Sequence, residues 1–208
     1  MARFGEGLAL PSSDFKKAIY AIRGNNRQTK GMACAIDIEG QREGTVLLVT
    51  DTWKDPEPIT GCRLHRYSSK KQHFEDYQLK PSRITQRGHF SSVLCDGTDS
   101  SFWIKRLRKK CLSGQQLERD FRVYTIYRDE CRDLELKYSH GGYNLIDNNL
   151  SDLTLCGSPI IHEDNSEKYL VGILTTNDEG KAVPCFLSNG VLGELYYYMK
   201  NNCNLIGL

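Results

Sequence analysis

The chain lacks long apolar runs. Its first residues, Met1-Ala2-Arg3-Phe4-Gly5-Glu6, carry no apolar stretch of signal-peptide length. No segment approaches the roughly 18 apolar residues that a membrane span requires. It also lacks a charge excess: 28 basic and 26 acidic residues leave a formal net charge of +2. A dedicated nucleic-acid binder carries a clear positive surplus, so that function class is disfavoured. No Cys-x-x-Cys pair occurs among the eight cysteines, which are irregularly spaced at 34, 62, 95, 111, 131, 156, 185 and 203. Structural zinc sites draw on ligands paired at short spacing, so no metal is expected, and no cofactor. A chain of 208 residues needs no disulfide staples to hold a core. Together with the missing signal peptide, this points to free thiols in a reducing compartment, cytoplasm or nucleus. There is no internal repeat and no low-complexity segment.

What is present is a run of short strands. Hydrophobic residues make up 39% of the chain, enough to fill a real core. Ala18 to Ile22 is a short apolar run before a Gly24-Asn25-Asn26 turn signal. Met32 to Ile38 and Thr45 to Thr50 bracket a turn at Gly40 and read as a hairpin. Weaker strands are expected at Arg63 to Tyr67, Phe74 to Leu79, His89 to Leu94 and Phe102 to Ile104. A polar, basic stretch follows, from Lys105 to Asp120. Its run Lys105-Arg106-Leu107-Arg108-Lys109-Lys110 reads either as a solvated face or as a contact for an acidic partner. Strands resume with the alternating Phe121 to Tyr127 and Leu134 to Tyr138, then Ser158 to Ile161, Tyr169 to Leu174 and Ala182 to Leu187. A helix is expected only at the end, where Ser188 can cap and Val191, Leu192, Leu195, Tyr196 and Met199 recur at helical spacing. Two groups of strands, a connector and one terminal helix imply an all-β double barrel.

Thr154-Leu155-Cys156-Gly157-Ser158-Pro159-Ile160-Ile161, then Leu170-Val171-Gly172-Ile173-Leu174, then Ala182 to Leu187 and the final helix resemble the last part of a trypsin-like (chymotrypsin-fold) protease. The first half, with Gly31 to Ile36, the Gly40 turn and Leu47 to Trp53, follows the layout of that family's first barrel. The resemblance covers roughly residues 15 to 203. It implies one trypsin-like domain over 1–208: an N-terminal six-stranded barrel over 15–104, a connecting segment over 105–120, and a C-terminal six-stranded barrel plus terminal helix over 121–208.

The resemblance also assigns the site, and there the sequence departs from the family. Cys156 matches the nucleophile position. A thiol is chemically adequate there, although cysteine is equally at home as a small buried hydrophobe. Trp53 matches the position of the histidine base; indole has a donor N–H and cannot take a proton. The acid position falls on Asp99 or Ser101. Thr154 stands where a glycine amide would serve the oxyanion hole. Leu155 replaces the aspartate that pairs with a newly cut N-terminus, and Leu150 matches the specificity floor. Of the histidines His65, His73, His89, His140 and His162, none falls where the fold would bring a base to Cys156, and His162 follows the Cys156 strand toward a turn. The implied function is a degenerate, catalytically inactive member that binds a protein partner. The aromatic cluster Tyr196-Tyr197-Tyr198 is a candidate contact patch, with ordinary helix packing expected for at least two of the three. The alternative is an active cysteine endopeptidase that pairs Cys156 with a noncanonical histidine such as His65 or His89.

Overall fold

The computed structural model describes residues 17–37, 45–51, 57–68, 71–78, 81–87, 90–96, 106–146 and 150–200. Seven strands come first: β1 (Ile19–Arg23), β2 (Thr29–Ile36), β3 (Thr45–Asp51), β4 (Arg63–Ser68), β5 (His73–Gln78), β6 (Pro81–Arg87) and β7 (Phe90–Asp96). They form one antiparallel sheet in the order β5-β4-β1-β2-β3-β7-β6. The expected barrel of six therefore has seven strands. The reason lies at its edges. β5 and β6 occupy the two opposite edges, yet only residues 79 and 80 separate them in the chain. Two residues reach about 10 Å at most, so the end of β5 and the start of β6 must lie near each other and the sheet curls toward a barrel. β5 and β6 follow each other almost directly in the chain and count as two strands. The register shift between Pro81 and Arg83 follows from proline's missing N–H.

The second sheet holds β8 (Phe121–Tyr127), β9 (Glu130–Ser139), β10 (Gly142–Ile146), β11 (Pro159–Asp164), β12 (Glu167–Thr176) and β13 (Ala182–Phe186), ordered β10-β9-β8-β11-β12-β13. Its edge strands β10 and β13 approach each other, which curls the sheet into a barrel. A one-turn helix, α1 (Asp152–Leu155), and the terminal helix α2 (Asn189–Lys200) complete the chain. Ser188 caps α2 as expected: its Oγ accepts from the Val191 amide at 3.2 Å. α1 was not expected, nor were β6 and β10.

Two cores follow from this layout. One fills the second barrel with Phe121, Val123, Leu134, Leu136, Leu155, Ile160, Val171 and Leu174. The other lies between the sheets, where Ile19, Ala21, Met32, Cys34 and Ile36 of the first meet Tyr124, Ile126, Ile161, Leu170 and Ile173 of the second. Each fully buried Ile or Leu contributes about 1.5–3 kcal/mol, so this seam welds the halves together. β12 serves both cores through a β-bulge. Ile161 pairs with Leu170 and Ile160 with Gly172, which leaves Val171 as the extra residue. The bulge shifts the alternation, so Leu170 and Ile173 face the seam while Val171 and Leu174 face the barrel. Gly172 is required there, because a Cβ would stand 2.5 Å from the Cys185 carbonyl oxygen.

The connecting segment is stitched to both sheets. The Leu107 amide donates to the Ala35 carbonyl and the Leu170 amide to that of Arg108. Leu107 is buried in the seam, and the stretch Gly114–Leu117 makes a short 3-10 turn. Among the described residues no helix is long and apolar enough to cross a membrane, and no group of His, Cys, Asp and Glu is arranged to hold a metal.

Candidate functional site

The turn that carries Cys156 is built by α1. Ser151 O accepts from the Thr154 amide at 3.0 Å, the Leu155 amide at 3.3 Å and Thr154 Oγ1 at 2.8 Å. Cys156 then leaves the helix in an extended conformation, with φ −61° and ψ 133°. Gly157 follows at φ 89°, a backbone region that an L side chain resists, so the Cys-Gly pair is a backbone requirement of the turn. The Gly157 amide donates to Leu174 O at 2.7 Å, tying the turn to β12. Cys156 O accepts from the Met32 amide at 2.7 Å, tying it to the first sheet. Gly31 allows this approach, since a Cβ there would lie 3.3 Å from that oxygen. Cys156 is buried, and its neighbours Leu155 and Leu150 are buried in the second barrel core. The amide that the resemblance would aim into an oxyanion hole is thus folded back onto Ser151 O. The only sequence signal for this turn is Ser151 ahead of Asp152, a helix start pattern.

Across the seam, Asp51 at the end of β3 is buried and reaches Thr176 at the end of β12. Its Oδ2 accepts from the Thr176 amide at 3.3 Å and from Thr176 Oγ1 at 3.4 Å. Burial raises the pKa of the Cys185 thiol, and the nearby Asp51 charge raises it further. Sequence reading missed this contact because 125 positions separate the partners. Trp53, Asp99 and Ser101, the expected base and acid positions, lie outside the described residues, as do His89 and the expected Phe102–Ile104 strand.

The four described histidines have environments of their own. His65, on β4, is 4% exposed, and both of its ring nitrogens face carboxylates. Nδ1 is 2.6 Å from Asp76 Oδ1 on β5, and Nε2 is 2.9 Å from Asp129 Oδ1 in the β8–β9 turn. Phe74 stacks on the ring at 5.2 Å. His65 therefore clasps the first sheet to the second and offers neither nitrogen to Cys156. His73 Nδ1 is 3.0 Å from Lys71 O, and His140 is exposed in the β9–β10 turn. His162, expected near a turn, lies instead within β11 and is buried against Phe121.

Three cations of the basic run, Arg108, Lys109 and Lys110, are engaged within the molecule. Lys109 Nζ donates to Asp37 O at 2.8 Å, Lys110 Nζ to Asp164 Oδ2 at 2.7 Å, and Arg108 Nη1 to Glu167 at 3.4 Å. These contacts hold the connector onto both sheets. On α2 the burial falls on Leu195 with Val191 and Leu192 packed beside it. Tyr196 and Tyr197 are 37% and 56% exposed, against the expectation that at least two of the three tyrosines pack. A step of one or two residues past Leu195 turns a helical side chain about 100–200° away from the buried face. The six described cysteines at 34, 62, 111, 131, 156 and 185 are free thiols, and complete burial pushes that of Cys34 up to about 12.

Two antiparallel barrels, a strapped connector between them, a Cys-Gly turn at their seam and a C-terminal helix define a trypsin-like, or chymotrypsin-type, fold. No family model and no curated protein matches the chain. Among solved structures it is similar to a two-site mutant of human heparin binding protein (CAP37), which has the same fold. The TM-score is 0.58 at 10% identity, over 92% of this chain and 93% of that one.

Proposed function

We propose that this chain is a trypsin-like domain without proteolytic activity that serves as a protein-interaction scaffold. The observation that carries the reading is the α1 turn: the Thr154 amide closes onto Ser151 O instead of standing free beside Cys156. Acyl transfer needs preorganised donors for the developing oxyanion, and losing one such donor lowers turnover by about 10²–10³-fold. Leu155, buried in the barrel core, adds to this, because an aspartate at that position is what family members pair with a new N-terminus. Trp53 at the base position removes the proton acceptor. What remains is a rigid double barrel with loops and two exposed tyrosines on α2, a suitable frame for docking. Free thiols favour a reducing compartment, cytoplasm or nucleus. The heparin binding in the neighbour's name is not carried over: a net charge of +2, with three cations of its basic run engaged internally, gives little pull on a polyanion.

The test uses the full chain. Incubation with a mixed peptide library and with a thiol-directed probe should give no turnover, and Cys156 should label no faster than an ordinary thiol. Affinity purification with wild type and Cys156→Ala should retain the same protein partner. Peptide cleavage that depends on Cys156, or a partner lost with the thiol, would establish the cysteine endopeptidase instead.

A further inference from the structure

His162 has a second feature, separate from the Cys156 turn. Its residue is only 8% exposed, and its side-chain hydrogen bonds among the described residues go to Arg119. Arg119 Nη1 stands 3.3 Å from Nδ1 and 3.4 Å from Nε2. The two imidazole nitrogens point away from each other in the ring plane, so one atom cannot lie along both directions. An in-plane position equidistant from them would collide with Cε1. The guanidinium therefore lies against the face of the ring, as arginine does on flat π-systems. Arg119 is the hydrogen-bonding side chain at both ring nitrogens, and from that position it leaves the in-plane direction of each open to a further partner.

The ring borders a cavity of about 310 Å³ whose walls include Arg119, Arg122, Tyr124, Glu135 and Glu163. Several charges around it are already engaged. Asp120 Oδ1 accepts from the Tyr138 amide at 2.7 Å, Arg122 reaches Asp133 at 3.4 Å, and Lys110 pairs with Asp164 at 2.7 Å. Arg119 has no carboxylate partner among the described residues. Burial holds His162 below the usual histidine pKa; Arg119 and then Lys110 lower it further, while Asp164 opposes them. The charges that act most on the ring are thus cations, although three carboxylates, Asp120, Glu135 and Glu163, share the walls.

We propose that this pocket binds an oxyanion, a carboxylate or phosphate group, held by the guanidinium of Arg119 and an in-plane nitrogen of His162. The anion supplies an in-plane partner for the buried ring and an anionic partner for Arg119. Charge-assisted bonds of this kind are about twice as strong as neutral ones. A bound anion also favours the charged imidazolium and so raises the titration midpoint of His162.

The experiment follows the ¹H–¹⁵N imidazole signals of the full chain through a pH titration, with acetate or inorganic phosphate exchanged for chloride at constant ionic strength. His140, exposed and remote in sequence, is the internal reference. A saturable upward shift confined to His162 is expected, and Arg119→Gln, an exposed position, should weaken that binding about tenfold. A response to acetate assigns a carboxylate ligand, and a response to phosphate alone assigns a phosphate group. The absence of a saturable response to either anion, or an equal response in Arg119→Gln, overturns the proposal.

Discussion

Cys156 and His65 sit on the same seam and are treated differently by the fold. Cys156 lies in a turn fixed by backbone contacts to both sheets, flanked by the buried Leu155 and by Gly157. His65 is fixed by side chains, between one carboxylate from each half of the molecule. The path between them is short to trace. His65 pairs across from Ala21, Ala21 from Met32, and Met32 donates to Cys156 O. That is three strand spacings, roughly 14 Å along the sheet. A thiol and an imidazole can share one fold and one seam without forming a catalytic pair. The difference teaches that the residue type present matters less than which groups its neighbours aim at it.

The sharpest way to break this comparison is at Leu155. Leu155→Asp restores the residue type that active relatives of the resemblance carry, but buries its charge in the barrel core beside Phe121 and Leu174. With no partner for the carboxylate, stability should fall by about 4 kcal/mol, read from urea unfolding. A loss below about 1 kcal/mol would mean that a cation already waits there, as it does in an activatable protease.

The clasp comes next. His65→Ala removes the ring that stands between two carboxylates and stacks on Phe74, and should lower stability by about 2–3 kcal/mol. Asp129→Asn should change it by about 0.5 kcal/mol, since that side chain is 76% exposed and screened by solvent. The pair of variants asks whether His65 acts through its buried ring or through the link to the second sheet. Equal losses from both would place the energy in the link.

The fold was legible where the sequence alternates or punctuates. β8 and β9 show period two, Tyr169 to Leu174 stands out as an apolar strand, and Ser188 announces α2. β6 and β10 were missed because Pro-Ser-Arg-Ile-Thr-Gln-Arg and Gly-Tyr-Asn-Leu-Ile carry too few apolar residues to stand out. They are edge strands, and edge strands need less burial. At the site, the Cys156-Gly157 turn was visible because its backbone demand is written in one glycine. The His65 clasp was not, because its carboxylates stand 11 and 64 positions away and no local pattern encodes such pairs. The amide closure of Thr154 was hidden for a different reason: it is a backbone event, and the side chain only hints at it.

A small effect is also expected at Cys156 itself, and it separates a structural thiol from a poised one. Cys156→Ala removes one buried sulfur and leaves the turn's backbone bonds to Met32 and Leu174 in place. As a small core hydrophobe, cysteine in this role is worth about 1 kcal/mol. The decisive readout is not the size of the loss but its constancy with pH. If Cys156 only packs, the loss measured by urea unfolding at pH 5 equals that at pH 7, both below the range where an unfolded thiol ionises. If it forms a thiolate paired with a protonated base, the wild type carries a charge interaction that titrates, and the cost of removing the sulfur changes across that range by linkage. A flat profile keeps Cys156 on the side of the core and His65 on the side of the clasp. A sloping one would pull them back toward a single site.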